Sequence, residues 1–145
     1  MTVIALDHRG IRTSRLEDTR HFYEDLLGLE NGFRPTAFDT KGYWLYAGDR
    51  PIIHLVEDTN ASGNGGEAQR ETLTDSGGDN HIALACTEAR KVVDRLAGAD
   101  IPYWDRLIKD PLMYQVFVED PNGILVELID RSPGEISGPI HKIVG

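Results

Sequence analysis

The sequence lacks several features, and each absence narrows what the protein can do. Cys86 is the only cysteine among 145 residues, so no intrachain disulfide can form, which favours a reducing, cytoplasmic location. The formal net charge is −9, which argues against nucleic acid and anionic membranes as partners because both require a basic surface. No apolar run approaches the ~18 residues of a membrane helix, and the first residues do not read as a signal peptide.

The pattern of predicted elements occurs twice, which indicates an α+β fold of two βαβββ modules. In the first module, strands are predicted at 3–9, 33–38, 43–47 and 51–57, with a helix from the N-cap Ser14 to the C-cap Gly28. In the second, strands are predicted at 81–86, 101–107, 114–119 and 124–130, with a helix from the N-cap Thr87 to about Gly98.

The modules are expected to cover about 1–58 and 79–130, within one domain spanning 1–130. A polar segment at 59–78, rich in glycine, is a linker or a lid. Residues 131–145 form a C-terminal arm, which lies on the domain or on a second subunit, or is disordered.

Four potential metal ligands share one spacing. His81 follows His8 by 73 residues, and Glu127 follows His54 by 73 residues. Two similar halves related by a pseudo-twofold axis would bring these pairs together. Each residue begins, interrupts or follows an apolar run, and a carboxylate buried in such a run is costly unless it is paired or bound to a cation. The four residues therefore predict a metal or catalytic cluster, suited to a borderline divalent metal.

The same segments carry a resemblance to a known family. They are the His8 strand, the helix segment at 22–29, the strand start at 79–83 and the turn and strand at 119–128. Together they resemble the vicinal oxygen chelate superfamily, which includes glyoxalase I, fosfomycin-resistance proteins, extradiol dioxygenases and bleomycin-resistance proteins. The resemblance implies that each module forms a curved mixed sheet and that the two sheets surround a central metal cavity.

The resemblance also implies a ligand set and a cofactor. His8, His81 and Glu127 match the recurrent ligands of one divalent ion, which this donor set allows to be Fe, Mn, Ni, Co or Zn. His54 is either a fourth ligand or an acid-base residue that moves a proton. Arg12 matches an arginine that glyoxalase I uses for its substrate, and Tyr114 is a second candidate for substrate binding.

The leading interpretation is a metal-dependent lyase or isomerase of the glyoxalase type, acting on a small molecule with vicinal oxygens. One alternative is an extradiol ring-cleaving dioxygenase, although Phe117 stands where those enzymes carry a catalytic tyrosine. Another is a non-catalytic protein that binds a small molecule or an antibiotic. Asp58, where glyoxalase I has an asparagine, argues against a glutathione substrate. A homodimer is implied, with modules paired within one chain or exchanged between subunits.

Overall fold

Each half of the chain forms a mixed sheet with one helix against one face. The computed structural model describes residues 5–59 and 81–145, and the chain divides into two units, Met1–Gly77 and Gly78–Gly145. Most of the predicted linker at 59–78 therefore lies outside the described residues. So do Asp79 and Asn80 of the family motif, and residues 1–4 of the predicted first strand.

The sheet of the first unit contains four strands in the order β1-β4-β3-β2, and only the β1–β4 pair is parallel. The elements are β1 (Arg9–Thr13), α1 (Leu16–His21), which continues as a π-helical segment (Phe22–Leu26), β2 (Glu30–Asn31), β3 (Gly42–Ala47) and β4 (Arg50–Glu57). Alternation along β4 turns Ile53 and Leu55 into the core, while His54 faces the other side.

The sheet of the second unit contains five strands in the order β5-β8-β7-β6-β9. The elements are β5 (Ile82–Ala85), α2 (Ala89–Gly98), β6 (Tyr103–Lys109), β7 (Leu112–Glu119), β8 (Leu125–Asp130) and β9 (Lys142–Val144). β5 pairs with β8 in parallel, and β9 pairs with β6 in parallel, so the last strand of the chain extends the sheet of its own unit.

Helix α2 covers one face of the second sheet. Its buried residues Val92, Val93 and Leu96 recur at helical spacing and meet the face that carries Val126 and Leu128. Full burial of each such side chain contributes about 1.5–3 kcal/mol to stability. The opposite sheet face is thereby left to other side chains, and Glu127 is among them.

The α+β class and the twofold βαβββ order are confirmed, but two strand predictions are wrong. The predicted strand at 33–38 is replaced by the two-residue β2, whose pairing with β3 ends where Gly32 N donates to Trp44 O at 3.1 Å. Pro35 has no N–H with which to continue the ladder. The first strand begins at Arg9, because its register with β4 runs from Arg9 to Thr13, so His8 precedes the strand.

Both predicted N-caps are also wrong. Helix α1 begins after Arg15, and no side chain caps it. The Thr13 hydroxyl instead accepts a hydrogen bond from Arg15 N at 2.8 Å. Helix α2 begins after Glu88 rather than Thr87, and the Asp130 carboxylate of β8 accepts from Ala89 N at 3.2 Å. A tertiary contact thus replaces the local cap, which local sequence cannot reveal.

No helix within 5–59 or 81–145 is long and apolar enough to cross a membrane.

Candidate functional site

Three aromatic rings form a column on the open face of the first sheet. The His8 and His54 rings stack with centroids 3.7 Å apart and an interplanar angle of 15°. The Trp44 and His54 rings are 4.0 Å apart and inclined by only 5°. Two rings this close and this parallel to His54 must contact opposite faces of its imidazole. His54 is therefore held between His8 and Trp44.

The local sequence explains why His8 can reach His54. Gly10 pairs with His54 in the parallel β1–β4 ladder and has no side chain to occupy the space beside it. The His8 ring, two residues earlier, extends over this gap. Asp7 orients the ring, because its carboxylate lies 2.6 Å from His8 Nδ1, and this hydrogen bond lowers the pKa of Asp7.

His54 has an open nitrogen. Its Nε2 atom is buried and has no hydrogen-bond partner among the described residues. Burial lowers the pKa of His54, and the neighbouring His8 lowers it further. A neutral imidazole with a lone pair or an N–H to share is what metal coordination or proton transfer requires.

The second sheet holds the other two residues of the predicted cluster. His81 Nε2 lies 2.8 Å from Glu127 Oε2. The Glu127 residue is only 5% exposed, so its carboxylate lies in a site largely removed from water. The register repeats that of the first sheet: Ala83, two residues after His81, pairs with Glu127. In each sheet a small residue therefore lies beside the predicted ligand, Gly10 beside His54 and Ala83 beside Glu127.

Two further residues, which sequence reasoning missed, adjoin this pair. The Gln115 amide nitrogen donates to Glu127 Oε1, and Arg106 Nε donates to Gln115 Oε1 at 2.6 Å. Gln115 is 7% exposed. A signal for Gln115 was present, because it interrupts the apolar run from Tyr114 to Val118 as Glu127 interrupts its own strand. Arg106 carried no comparable signal.

The two predicted substrate-binding residues occupy different environments. Arg12 is exposed on β1 and pairs with Val56, so it shares the open face with His54. Tyr114 is fully buried on the helix-covered face of the second sheet, and its hydroxyl donates to Asp105. Burial and the adjacent Asp105 carboxylate raise the pKa of Tyr114. Tyr114 therefore lies on the sheet face opposite to Glu127.

The donor chemistry of the four residues fits a divalent metal. Two donors of one ion, each at ~2.0–2.2 Å, lie roughly 2.9–3.4 Å from each other. The 2.8 Å between His81 Nε2 and Glu127 Oε2 is close to this range. The open Nε2 of His54 is a further donor. Within residues 5–59 and 81–145, no group of three or more His, Cys, Asp or Glu side chains is placed to hold a metal.

Comparison with known proteins gives the family. The sequence profile of the Glyoxalase/Bleomycin resistance protein/Dioxygenase superfamily matches residues 5–128. The chain belongs to this superfamily. Its similarity to Glyoxylase I 4 of Arabidopsis thaliana is 25% identity over 143 residues, which cover 97% of this chain and 76% of that protein. Members of the superfamily typically use a divalent metal, which the donor set described above would suit.

Solved structures of superfamily members share the fold. A glyoxalase family protein from Bacillus anthracis aligns with a TM-score of 0.64 and 20% identity, over 90% of this chain and 97% of that one. A fosfomycin resistance protein from Listeria monocytogenes aligns with a TM-score of 0.61 and 16% identity, over 93% of this chain and 97% of that one. The TM-scores establish the fold. Identities this low do not establish the reaction, which must be inferred from the residues.

Proposed function

We propose that the protein is a metal-dependent lyase or isomerase that acts on a small substrate with vicinal oxygens. The observation that carries the proposal is the pairing of a buried carboxylate with an imidazole, Glu127 with His81, in a chain that also buries an unpartnered imidazole nitrogen at His54. A site built only for stability would satisfy that nitrogen. We further propose one domain over 1–130, and a homodimer as in many relatives.

His8, His81 and Glu127 would hold the metal, and this ligand type suits Fe, Mn, Ni, Co or Zn. When bound, such an ion acts as a Lewis acid toward two neighbouring substrate oxygens. Burial and the neighbouring His8 lower the pKa of His54, which favours its neutral form, so its Nε2 either joins the ligand set or accepts a proton from substrate. Arg12, exposed on the same sheet face as His54, would offer a cation to an anionic substrate group.

A lyase or isomerase is favoured over the ring-cleaving dioxygenase. Phe117 pairs directly with Glu127 across the β7–β8 ladder. A phenylalanine beside the carboxylate has no hydroxyl with which to exchange a proton with substrate. Acid-base chemistry in this chain therefore falls to His54 and Glu127.

The test is metal content. His81→Ala should lose the metal that co-purifies with the wild-type protein, because it removes one ligand and leaves Glu127 Oε2 without its imidazole partner. His21→Ala is the matched control, since His21 is exposed and its Nδ1 lies 3.0 Å from the Asp25 carboxylate of its own helix. Elemental analysis of both variants decides the question, and a His81→Ala protein with full stoichiometric metal would refute the ligand assignment. The metal identified this way is then restored for an activity screen with hydroxy-carbonyl and keto-acid compounds.

A further inference from the structure

The buried carboxylate of the second sheet is the terminus of a chain of hydrogen bonds. Arg106 Nε donates to Gln115 Oε1 at 2.6 Å, and the Gln115 amide nitrogen donates to Glu127 Oε1. The other carboxylate oxygen, Oε2, faces His81 Nε2 at 2.8 Å. The two oxygens of Glu127 therefore have different partners.

Chemistry fixes the direction of this chain. A guanidinium can only donate hydrogen bonds, so the Gln115 atom that faces Arg106 must be the amide oxygen. The amide nitrogen, which can only donate, must then face Glu127. Without Arg106, the two ends of the Gln115 amide could exchange places, and its oxygen would face a carboxylate oxygen.

Arg106 is itself held in place by aromatic rings. Its guanidinium carbon lies 5.5 Å from the Phe117 ring centroid and 5.8 Å from that of Trp104. Cation–π contacts of this kind restrain a long side chain. The two rings thus restrain Arg106, Arg106 restrains Gln115, and Gln115 restrains Glu127.

We propose that Gln115 and Arg106 are positioning residues, which hold Glu127 Oε1 so that Oε2 alone is presented to His81 and to a metal. This inference rests on the proposed function for its metal-binding consequence. Outer partners that orient a ligand typically contribute 10- to 100-fold to metal affinity. Gln115, in direct contact with Glu127, should contribute more than Arg106.

The decisive variant is Gln115→Met, which keeps the length of the side chain and removes its amide. We expect Mn(II) affinity, measured by calorimetry, to fall about 10- to 100-fold, and the absorption spectrum of the Co(II)-loaded protein to shift. Arg106→Gln should cause a smaller loss in the same direction. Met113→Leu is the matched control, because Met113 lies two residues before Gln115 on the same strand and outside the chain of hydrogen bonds. It should leave both readouts unchanged.

A second measurement needs no metal. In metal-free protein with 15N-labelled histidine, the ring nitrogen signals of His81, assigned with His81→Ala, report its contact with Glu127. Gln115→Met should shift them, and Met113→Leu should not. If wild-type protein binds none of Fe(II), Mn(II), Ni(II), Co(II) and Zn(II), the proposed function fails while the His81 signals still decide the positioning role. Unchanged His81 signals in a folded Gln115→Met protein overturn the inference. A Gln115→Met protein that binds metal as tightly as the wild type overturns it as well.

Discussion

Among the described residues, the second unit buries five polar side chains and gives each a partner: Asp105, Gln115, Asp120, Glu127 and Asp130. In the first unit, two buried nitrogen atoms, Arg34 Nε and His54 Nε2, have no hydrogen-bond partner among the described residues. Both units carry the same βαβββ order, so the difference does not come from topology. It teaches that the buried polar side chains of the second unit are paired within that unit, whereas the first unit leaves His54 Nε2 unpaired at the face where His8 and His54 stack.

The largest effect should come from breaking the most connected buried group of the second unit. Asp105 is fully buried and accepts hydrogen bonds from Tyr114 Oη and from His141 N, the latter at 2.9 Å, and Arg90 Nη1 lies 3.7 Å away. Asp105→Asn removes the charge that these donors share, and we expect a loss of about 2–4 kcal/mol in the free energy of unfolding, measured in urea. Asp94→Asn should cost less than about 0.5 kcal/mol, because Asp94 is exposed and contacts the same Arg90 only at 3.8 Å.

The pH dependence of stability in the wild-type protein and in Asp105→Asn gives a second test. Burial acts to raise the pKa of Asp105, but hydrogen bonds from His141 and Tyr114 outweigh it and leave the pKa lowered. A carboxylate with a lowered folded-state pKa contributes stability that is present above its unfolded pKa of ~3.9 and is lost as the pH falls through the folded value. The stability difference between wild type and Asp105→Asn should therefore shrink as the pH falls below ~4. A difference that grows in acid would contradict the assignment.

A smaller effect on stability is expected at the start of α2, where the observed acceptor Asp130 can be compared with the predicted N-cap Thr87. Asp130→Ala removes the acceptor for Ala89 N and also the acceptor for Ser132 N, which lies 3.0 Å from Asp130 Oδ1. We expect a loss of about 1–2 kcal/mol in the free energy of unfolding. Thr87→Ala should change it by less than about 0.5 kcal/mol, since Thr87 is exposed and does not cap α2. Equal losses in the two variants would mean that Thr87 caps α2, as the local sequence indicates.

The fold could be predicted from sequence to the extent that it is periodic. Alternating apolar residues predicted β3, β4 and β8 within about a residue at each end, because burial on one face of a sheet imposes a period of two. Features that depend on contacts between distant residues could not be predicted. They include the α2 cap from Asp130, 41 positions away, and the pairing of β9 with β6.

The candidate site shows the same division. The common spacing of the two pairs predicted equivalent positions, and in the two ladders Gly10 pairs with His54 and Ala83 pairs with Glu127. Spacing could not predict what each side chain contacts. The stacking of Trp44 on His54 and the link from Gln115 to Glu127 depend on neighbours in adjacent strands, whose register is fixed only when the sheet forms.

The smallest change in stability should come from the open nitrogen of the first unit, and it sharpens the comparison most. His54→Leu replaces an imidazole whose Nε2 is buried without a partner, so the folded protein loses little hydrogen bonding and no longer buries that unpaired atom. Against this, the stacking contacts with His8 and Trp44 are lost, at roughly 0.5–1.5 kcal/mol. We expect the two terms to cancel to within about 1 kcal/mol in metal-free protein, measured by urea unfolding. Metal affinity or turnover should nonetheless fall, since the donor atom is gone. A loss of 3 kcal/mol or more without metal would mean that His54 serves the core of the first unit as Asp105 serves that of the second, and the contrast between the units would not hold.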